Sequence, residues 1–220
     1  DAGLIWIGPP PAAIRLLADG QSVTVDVGRL QMGTVDRRFL LMCSLGIDAA
    51  VVAEVEGRPE LKRRLAQAAY VVAGLPVLRR YSPVRLSLDE ISMSQPVALV
   101  VAGNSRLYGG VMRLTSKAKM DDGQLDLVVL HQRPGWRGWS DVMGELASRL
   151  LGVNRGADRR ASSFSLVPES RVAVQCDGEF LGWAEAGTEI RIGTEPKSVR
   201  VLVPPGESEL FEIRITPPEA

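Results

Sequence analysis

Apolar and polar positions alternate with a period of two over SVTVDVG, where Val23, Val25 and Val27 fall on one side and predict a half-buried strand. After a Gly-Thr-Val-Asp turn the alternation gives way to an apolar run, DRRFLLMCSLG, which predicts one strand buried on both faces. That strand leads into GIDAAVVAEVE, whose small and apolar residues allow a helix. Helical spacing is clearest over residues 59–80, where Leu61, Leu65, Ala68, Ala69 and Val72 make an apolar stripe that Gly74 and Pro76 end or kink. A shorter helix is expected over residues 9–18, with prolines at its start and Asp19-Gly20 as its stop. PVRLSLDE, PVALVVAG and LDLVVLH return to strand patterning. RPGWRGWSDVMGELASRLLG then predicts an amphipathic helix with Trp139, Val142, Met143, Leu146 and Leu150 on its inner face. The last third reads as six short strands: SFSLV, RVAVQC, EFLGWAE, TEIRIG, SVRVLVPP and ELFEIRI. The sum is an α+β, mainly β chain: an antiparallel β-sandwich-like domain over residues 1–220 with a few helices packed on it.

Composition narrows what such a domain does. Twenty-six basic residues balance 26 acidic ones, so no global field favours nucleic acid, and Arg-rich pieces such as LKRRL read as solvated faces. Two cysteines, Cys43 and Cys176, are too few for a disulfide framework or a cysteine zinc site, and fit a reducing, cytoplasmic setting. The single histidine, His131, closes an apolar strand and reads as a strand-end residue. It leaves no room for HExxH and disfavours a Ser-His-Asp triad. No apolar run is long enough to span a bilayer. The chain begins at Asp1 rather than Met, which suggests a fragment or a processed product.

GxxxxGK[ST], GxGxxG and GxSxG are absent, and what remains is glycine paired with carboxylates at strand ends. In CDGEF, Asp177-Gly178 suits a tight hairpin turn, which would hold the Glu179 carboxylate projecting as a proton acceptor for a hydroxyl. In LGIDA, Asp48 either caps a helix or is exposed where a buried strand ends. In KMDDGQLD, the Asp-Asp-Gly is either a plain turn or a small cation site. For the latter, Asp122 is better placed than Asp121, because flanking backbone carbonyls can close around it.

The ordered set VDVG, FLLMCSLGIDA, GNSRLYGG, AKMDDGQLDLVVL, CDGE and SVRVLVPP resembles the C-terminal domain of bacterial diacylglycerol-kinase-like lipid kinases, a group also similar to sphingosine kinases. The resemblance implies the substrate half of the NAD kinase/diacylglycerol kinase-like fold and transfer of a phosphoryl group from ATP to a lipid hydroxyl. It makes Glu179 the base, aided by Asp177 and Asp48, with Asp48 lining the cleft. It places Asn104, Gly109 and Gly110 in the loop on the cofactor side. It gives a structural Mg²⁺ to Asp122, with main-chain oxygens of Lys119 and Gln124. The implied partners are a diacylglycerol-like or sphingoid lipid and an N-terminal nucleotide-binding domain. A peripheral membrane contact and a homodimer are compatible with it. Ile47 stands where the family usually has Phe, and a third glycine near Tyr108 is missing. The family's GGDGT phosphate motif is nowhere in the chain, so the isolated chain is expected to be inactive. A NAD-kinase-like protein and a non-catalytic lipid- or partner-binding module are the alternatives.

Overall fold

The alternating valines form the first strand, but it runs further than the pattern, over β1 (Gln21–Met32). The computed structural model of the chain describes residues 17, 19–58, 74, 76–108, 112–133, 136–150 and 159–204. Most of both expected N-terminal helices, the ELFEIRI strand, Gly109 and Gly110 lie outside them.

After a turn at Gly33, the expected DRRFLLMCSLG strand is two strands, β2 (Val35–Phe39) and β3 (Met42–Gly46), broken at Leu40-Leu41. The apolar run hides this break, because both leucines stay partly covered while the chain passes from one sheet to the other. The helix α1 (Ile47–Glu56) follows, and residues 76–80 are also helical. Then come β4 (Leu86–Leu88), β5 (Ile91–Ser92), β6 (Val97–Gly103), the short pair β7 (Leu107–Tyr108) and β8 (Met112–Arg113), and β9 (Leu125–His131). The chain continues through helix α2 (Trp136–Leu150), β10 (Arg159–Ala161), β11 (Ser163–Pro168), β12 (Val172–Cys176), β13 (Glu179–Ala184) and β14 (Ile190–Val203). TEIRIG and SVRVLVPP, expected as separate strands, are the two ends of β14. A long partner, β1, keeps them in one ladder despite an irregularity between Val25 and Val27.

Two six-stranded antiparallel sheets result, ordered β2-β1-β14-β11-β4-β5 and β10-β9-β6-β3-β12-β13. Their facing sides share one core, with Leu30, Phe39, Leu45, Val100, Phe164 and Ile192 among its members. This is the expected mainly β sandwich. Burying each such side chain contributes about 1.5–3 kcal/mol. The outer side of the second sheet is covered as well: Met42, Val101 and Leu130 pack with Ile47 of α1 and Val142 of α2. Every residue of β3 and β6 is therefore buried, as their apolar runs predict, with Ser44 of β3 the one polar side chain among them.

On α2, Val142 is buried, with Trp139 and Leu146 packed beside it, but Met143 is 57% exposed. Arg149, one heptad on from Val142 and not expected inside, is buried, and its guanidinium donates to the Leu114 carbonyl and the Glu145 carboxylate, each at 3.0 Å. A guanidinium satisfied on both sides can enter a core that a plain apolar count reserves for apolar side chains. His131 is the exposed last residue of β9, as its position predicted.

Candidate active site

The corner at Leu40–Met42, where the chain leaves one sheet for the other, gathers the polar motifs of the sequence. Asp177 sits in the tight turn between β12 and β13, at φ 47 with Gly178 at φ 86, the pair of positive values expected of an Asp-Gly hairpin. Its carboxylate turns back and accepts the N–H groups of Leu40 (2.6 Å), Leu41 (2.9 Å) and Met42 (2.9 Å). Its own N–H donates to the Met42 carbonyl at 2.9 Å. Asp177 thus clamps the hairpin onto the corner.

The corner is held from its other side by Asn104. That residue is completely buried, and its Nδ2 donates to the carbonyls of Asp26 (2.9 Å) and Leu40 (2.8 Å). Its N–H and that of Ser105 both reach the Leu41 carbonyl. With its amide hydrogens spent on backbone, Asn104 acts as a brace, and its Oδ1 has no partner among the described residues.

Asp26 is the hinge of this brace. It is buried, and its carboxylate accepts the N–H groups of Gly123 (2.5 Å) and Lys197 (2.7 Å). The expected alternation put Asp26 on the solvent side. The register jump that pairs Val25 with Val199 but Val27 with Glu195 turns it inward, and a bulge of this kind cannot be read from a period of two.

Just past the clamp, Glu179 opens β13 with a side chain that is 64% exposed and ion-paired with Arg37 of β2. The hairpin therefore presents the carboxylate at the surface, where the edges of both sheets meet. The Glu56 carboxylate accepts the next N–H, that of Phe180, at 3.1 Å.

Asp48 reaches the same hairpin through a short relay. Gln175 accepts the Gly178 N–H at 2.8 Å and donates its Nε2 to Ser44 Oγ (2.6 Å) and Asp48 Oδ2 (3.3 Å). Ser44 Oγ also donates to Asp48 Oδ2. The N-cap position of α1 belongs to Gly46, at φ 117, and Asp48 sits in the first turn: its Oδ1 accepts the Ala49 N–H of that turn at 2.7 Å, while Oδ2 is turned toward the sheet. A Cβ on Gly46 would stand 2.3 Å from the Ala98 carbonyl, so the tight strand-to-helix passage that delivers Asp48 requires glycine here. Tyr81 donates to that same carbonyl at 3.1 Å. Burial pushes its phenol up, and the Asp48 charge adds to this. Beside the relay, Cys43 and Cys176 face each other across β3 and β12 as free, buried thiols. Burial raises the Cys43 thiol well above its ordinary value, with Cys176 and the nearby carboxylates adding to it.

Asp122 lies at the far end of the brace. Its side chain is 4% exposed; Oδ1 accepts the Gln124 N–H at 2.9 Å, and Arg160 donates to Oδ2. Of the set implied for Mg²⁺ (Asp122 with main-chain oxygens of Lys119 and Gln124), the Asp122 carboxylate is turned to a guanidinium and a backbone N–H as it is folded here. No group of three or more His, Cys, Asp or Glu side chains suited to a metal occurs among the described residues.

The structure thus links Asp177, Glu179, Asp48, Asn104 and the Asp-Asp-Gly turn through one corner. Sequence reasoning missed Arg37, Gln175, Ser44, Asp26 and Arg160. Ser44 and Gln175 were detectable as lone polar residues inside apolar strand runs, whereas nothing local marks Arg37. A cavity of about 590 Å³, lined by Met93, Leu127, Val129, Arg133 and Arg159 among others, opens beside β9. In the sheet order β9 and β13 are four strands apart, about 19 Å, so this cavity does not belong to the carboxylate corner.

Comparison with known proteins follows the same outline. The profile of the family described as the YegS C-terminal NAD kinase beta sandwich-like domain matches residues 42–203, well over half of the chain. A probable lipid kinase YegS-like protein of Pseudomonas aeruginosa (strain PAO1) is 29% identical over 212 residues, which cover 92% of this chain and 64% of that protein. A diacylglycerol kinase of Mycobacterium tuberculosis is 27% identical over 173 residues, covering 77% of this chain and 52% of its own length. A Bacillus anthracis protein, solved as a candidate diacylglycerol kinase, superposes with a TM-score of 0.55 at 19% identity. The superposition covers 86% of this chain and 59% of that one, and shows a shared fold. The chain therefore spans less than two thirds of the length of these relatives.

Proposed function

Because the chain belongs to the family of YegS C-terminal NAD kinase beta sandwich-like domains, we propose that it is the lipid-facing domain of a kinase that moves the γ-phosphoryl group of ATP to a lipid hydroxyl. A lipid acceptor is favoured by the name of the Pseudomonas aeruginosa relative, and a diacylglycerol-like one by that of the Mycobacterium tuberculosis relative. The observation that carries the reading is Glu179: an exposed carboxylate on the first residue past a turn that Asp177 clamps with three hydrogen bonds.

Phosphoryl transfer depends mainly on positioning and on neutralising charge, with a carboxylate accepting the proton of the attacking hydroxyl. Glu179 takes that proton. To do so it leaves Arg37, whose guanidinium then stands beside the reacting groups as a counter-charge for the incoming phosphate. Asp177 holds the hairpin in place and touches no substrate. Asp48, half buried and oriented by Ser44 and Gln175, receives polar groups of the lipid head. Asn104 braces the corner from behind, through the carbonyls of Asp26 and Leu40.

Phe180 and Trp183 lie on the strand that Glu179 opens, their rings 5.8 Å apart edge to face, and Trp183 is 41% exposed. An aromatic pair beside the base suits the interface at which a lipid hydroxyl becomes accessible. No helix among the described residues is long and apolar enough to cross a membrane, so contact at the bilayer surface is the mode proposed.

We assign ATP and the divalent cation that accompanies it to a separate nucleotide-binding half; that the chain covers only 64% of a lipid kinase-like relative leaves room for one. The test compares the chain alone with the chain joined to such a half, supplied with ATP and either diacylglycerol in mixed micelles or NAD. Phosphatidic acid formed only by the joined protein is the expected result. Comparable turnover by the isolated chain would overturn the division of labour. Phosphorylation of NAD in place of the lipid would transfer the domain to the NAD kinase reading.

A further inference from the structure

The turn that leads into β9 concentrates negative charge where little water reaches it. Asp26 and Asp126 are buried, Asp121 is 7% exposed, and the Asp122 side chain is 4% exposed. Carboxylates so enclosed stay ionised only if hydrogen bonds or a cation compensate them. Asp26 is compensated by backbone, through Gly123 and Lys197. Asp122 and Asp126 share a guanidinium.

That guanidinium is delivered by the sheet itself. β10 pairs with β9 so that Arg160 stands directly opposite Asp126, an opposite-charge cross-strand pair. From there its Nε lies 3.6 Å from Asp126 Oδ2, while Nη2 donates to Asp122 Oδ2. The remaining Asp122 oxygen closes the turn by accepting the Gln124 N–H. A Mg²⁺ ion that took Asp122 through Oδ2 would compete with the Arg160 guanidinium for that oxygen and for the space beside it. At that oxygen metal and Arg160 are alternatives.

We propose that Arg160 is the resident cation of the Asp-Asp-Gly turn, so that this chain closes with its own guanidinium a turn for which its resemblance implies Mg²⁺. Divalent metal is then dispensable for the fold, and any ion that binds there must first displace Arg160. The arginine is on the chain at fixed register, and its side chain is still 39% exposed, so displacement is open to a competitor but disfavoured. The inference concerns the fold of this chain and stands whether or not the kinase reading holds.

Thermal unfolding of the full chain in EDTA and in millimolar MgCl₂, matched in ionic strength with NaCl, tests it. The wild-type midpoint should be the same in both within about 1 °C, and titration with Mn²⁺ followed by electron paramagnetic resonance should show no stoichiometric binding. Arg160→Gln should lower the midpoint in EDTA by about 4 °C or more, and Mg²⁺ should restore part of the loss. Arg160→Lys should fall between them, since it keeps the charge without the fork that spans two carboxylates. A wild-type midpoint that drops in EDTA and recovers with Mg²⁺ would overturn the proposal. So would an Arg160→Gln chain that behaves as wild type. If Arg160→Gln fails to fold, the wild-type comparison and the Mn²⁺ titration still decide.

Discussion

Replacing Asp177 withdraws one carboxylate from three backbone N–H groups at once, and the structure sets the size of the effect. The corner at Leu40-Leu41 is only partly covered, so water can take over some of the lost bonds. Each is then worth about 0.5–1 kcal/mol, below the value for a fully enclosed charged acceptor. Asp177 also sits at φ 47, which aspartate and asparagine tolerate and alanine does not, at about 1 kcal/mol. Asp177→Ala should therefore lose about 2.5–4 kcal/mol. Asp177→Gly, which accepts the backbone angle but makes none of the bonds, should lose about 1.5–3 kcal/mol. Asp177→Asn, which keeps one acceptor oxygen and the tolerated conformation, should lose about 1 kcal/mol. Urea unfolding followed by tryptophan fluorescence reads these differences as shifts in midpoint at constant slope. An alanine variant within about 0.5 kcal/mol of wild type would refute the clamp, as would an asparagine variant as damaged as the alanine one.

Two further outcomes follow from the same geometry. Cys43 and Cys176 should resist a disulfide reagent in the native chain and react together once urea unfolds it, because burial keeps the Cys43 thiol protonated. Early reaction of either thiol at neutral pH would contradict their placement. On the acid side, the Arg29 guanidinium holds the exposed Asp36 carboxyl at about 2, below its ordinary 3.8, and Arg38 lowers Glu195 from its ordinary 4.5. Carboxyls lowered in the folded state stabilise it above their unfolded values, and that contribution is lost as pH falls through the folded ones. Stability should therefore decline from about pH 4.5 down to about 2, less steeply in high salt and less steeply in Asp36→Asn, since these pairs lie in solvent. A flat profile over that range would remove the pairs from the account.

The sandwich itself was legible because short, valine-rich apolar runs such as PVALVVAG suit strands covered on both faces, and β6 is covered on both faces. The Asp-Gly turn was equally legible, since its chemistry dictates its backbone angles. What escaped notice has a common cause. The break at Leu40-Leu41, the inward turn of Asp26 and the burial of Arg149 all depend on partners far away in sequence. Local periodicity carries no trace of those partners. The site followed the same division. CDGE and LGIDA drew attention to Glu179, Asp177 and Asp48 through glycine beside carboxylate. Arg37, which pairs with Glu179 across 142 positions, could be found only by folding the chain.

The account centres on Glu179 as the proton acceptor, and one substitution isolates that role. Because its side chain is largely exposed, Glu179→Gln should leave the unfolding midpoint of the domain nearly unchanged. In the chain joined to a nucleotide-binding half, the same change should lower kcat for diacylglycerol phosphorylation by about 10²–10⁴-fold, with KM for the lipid little altered. A kcat close to that of the unsubstituted protein would contradict the assignment.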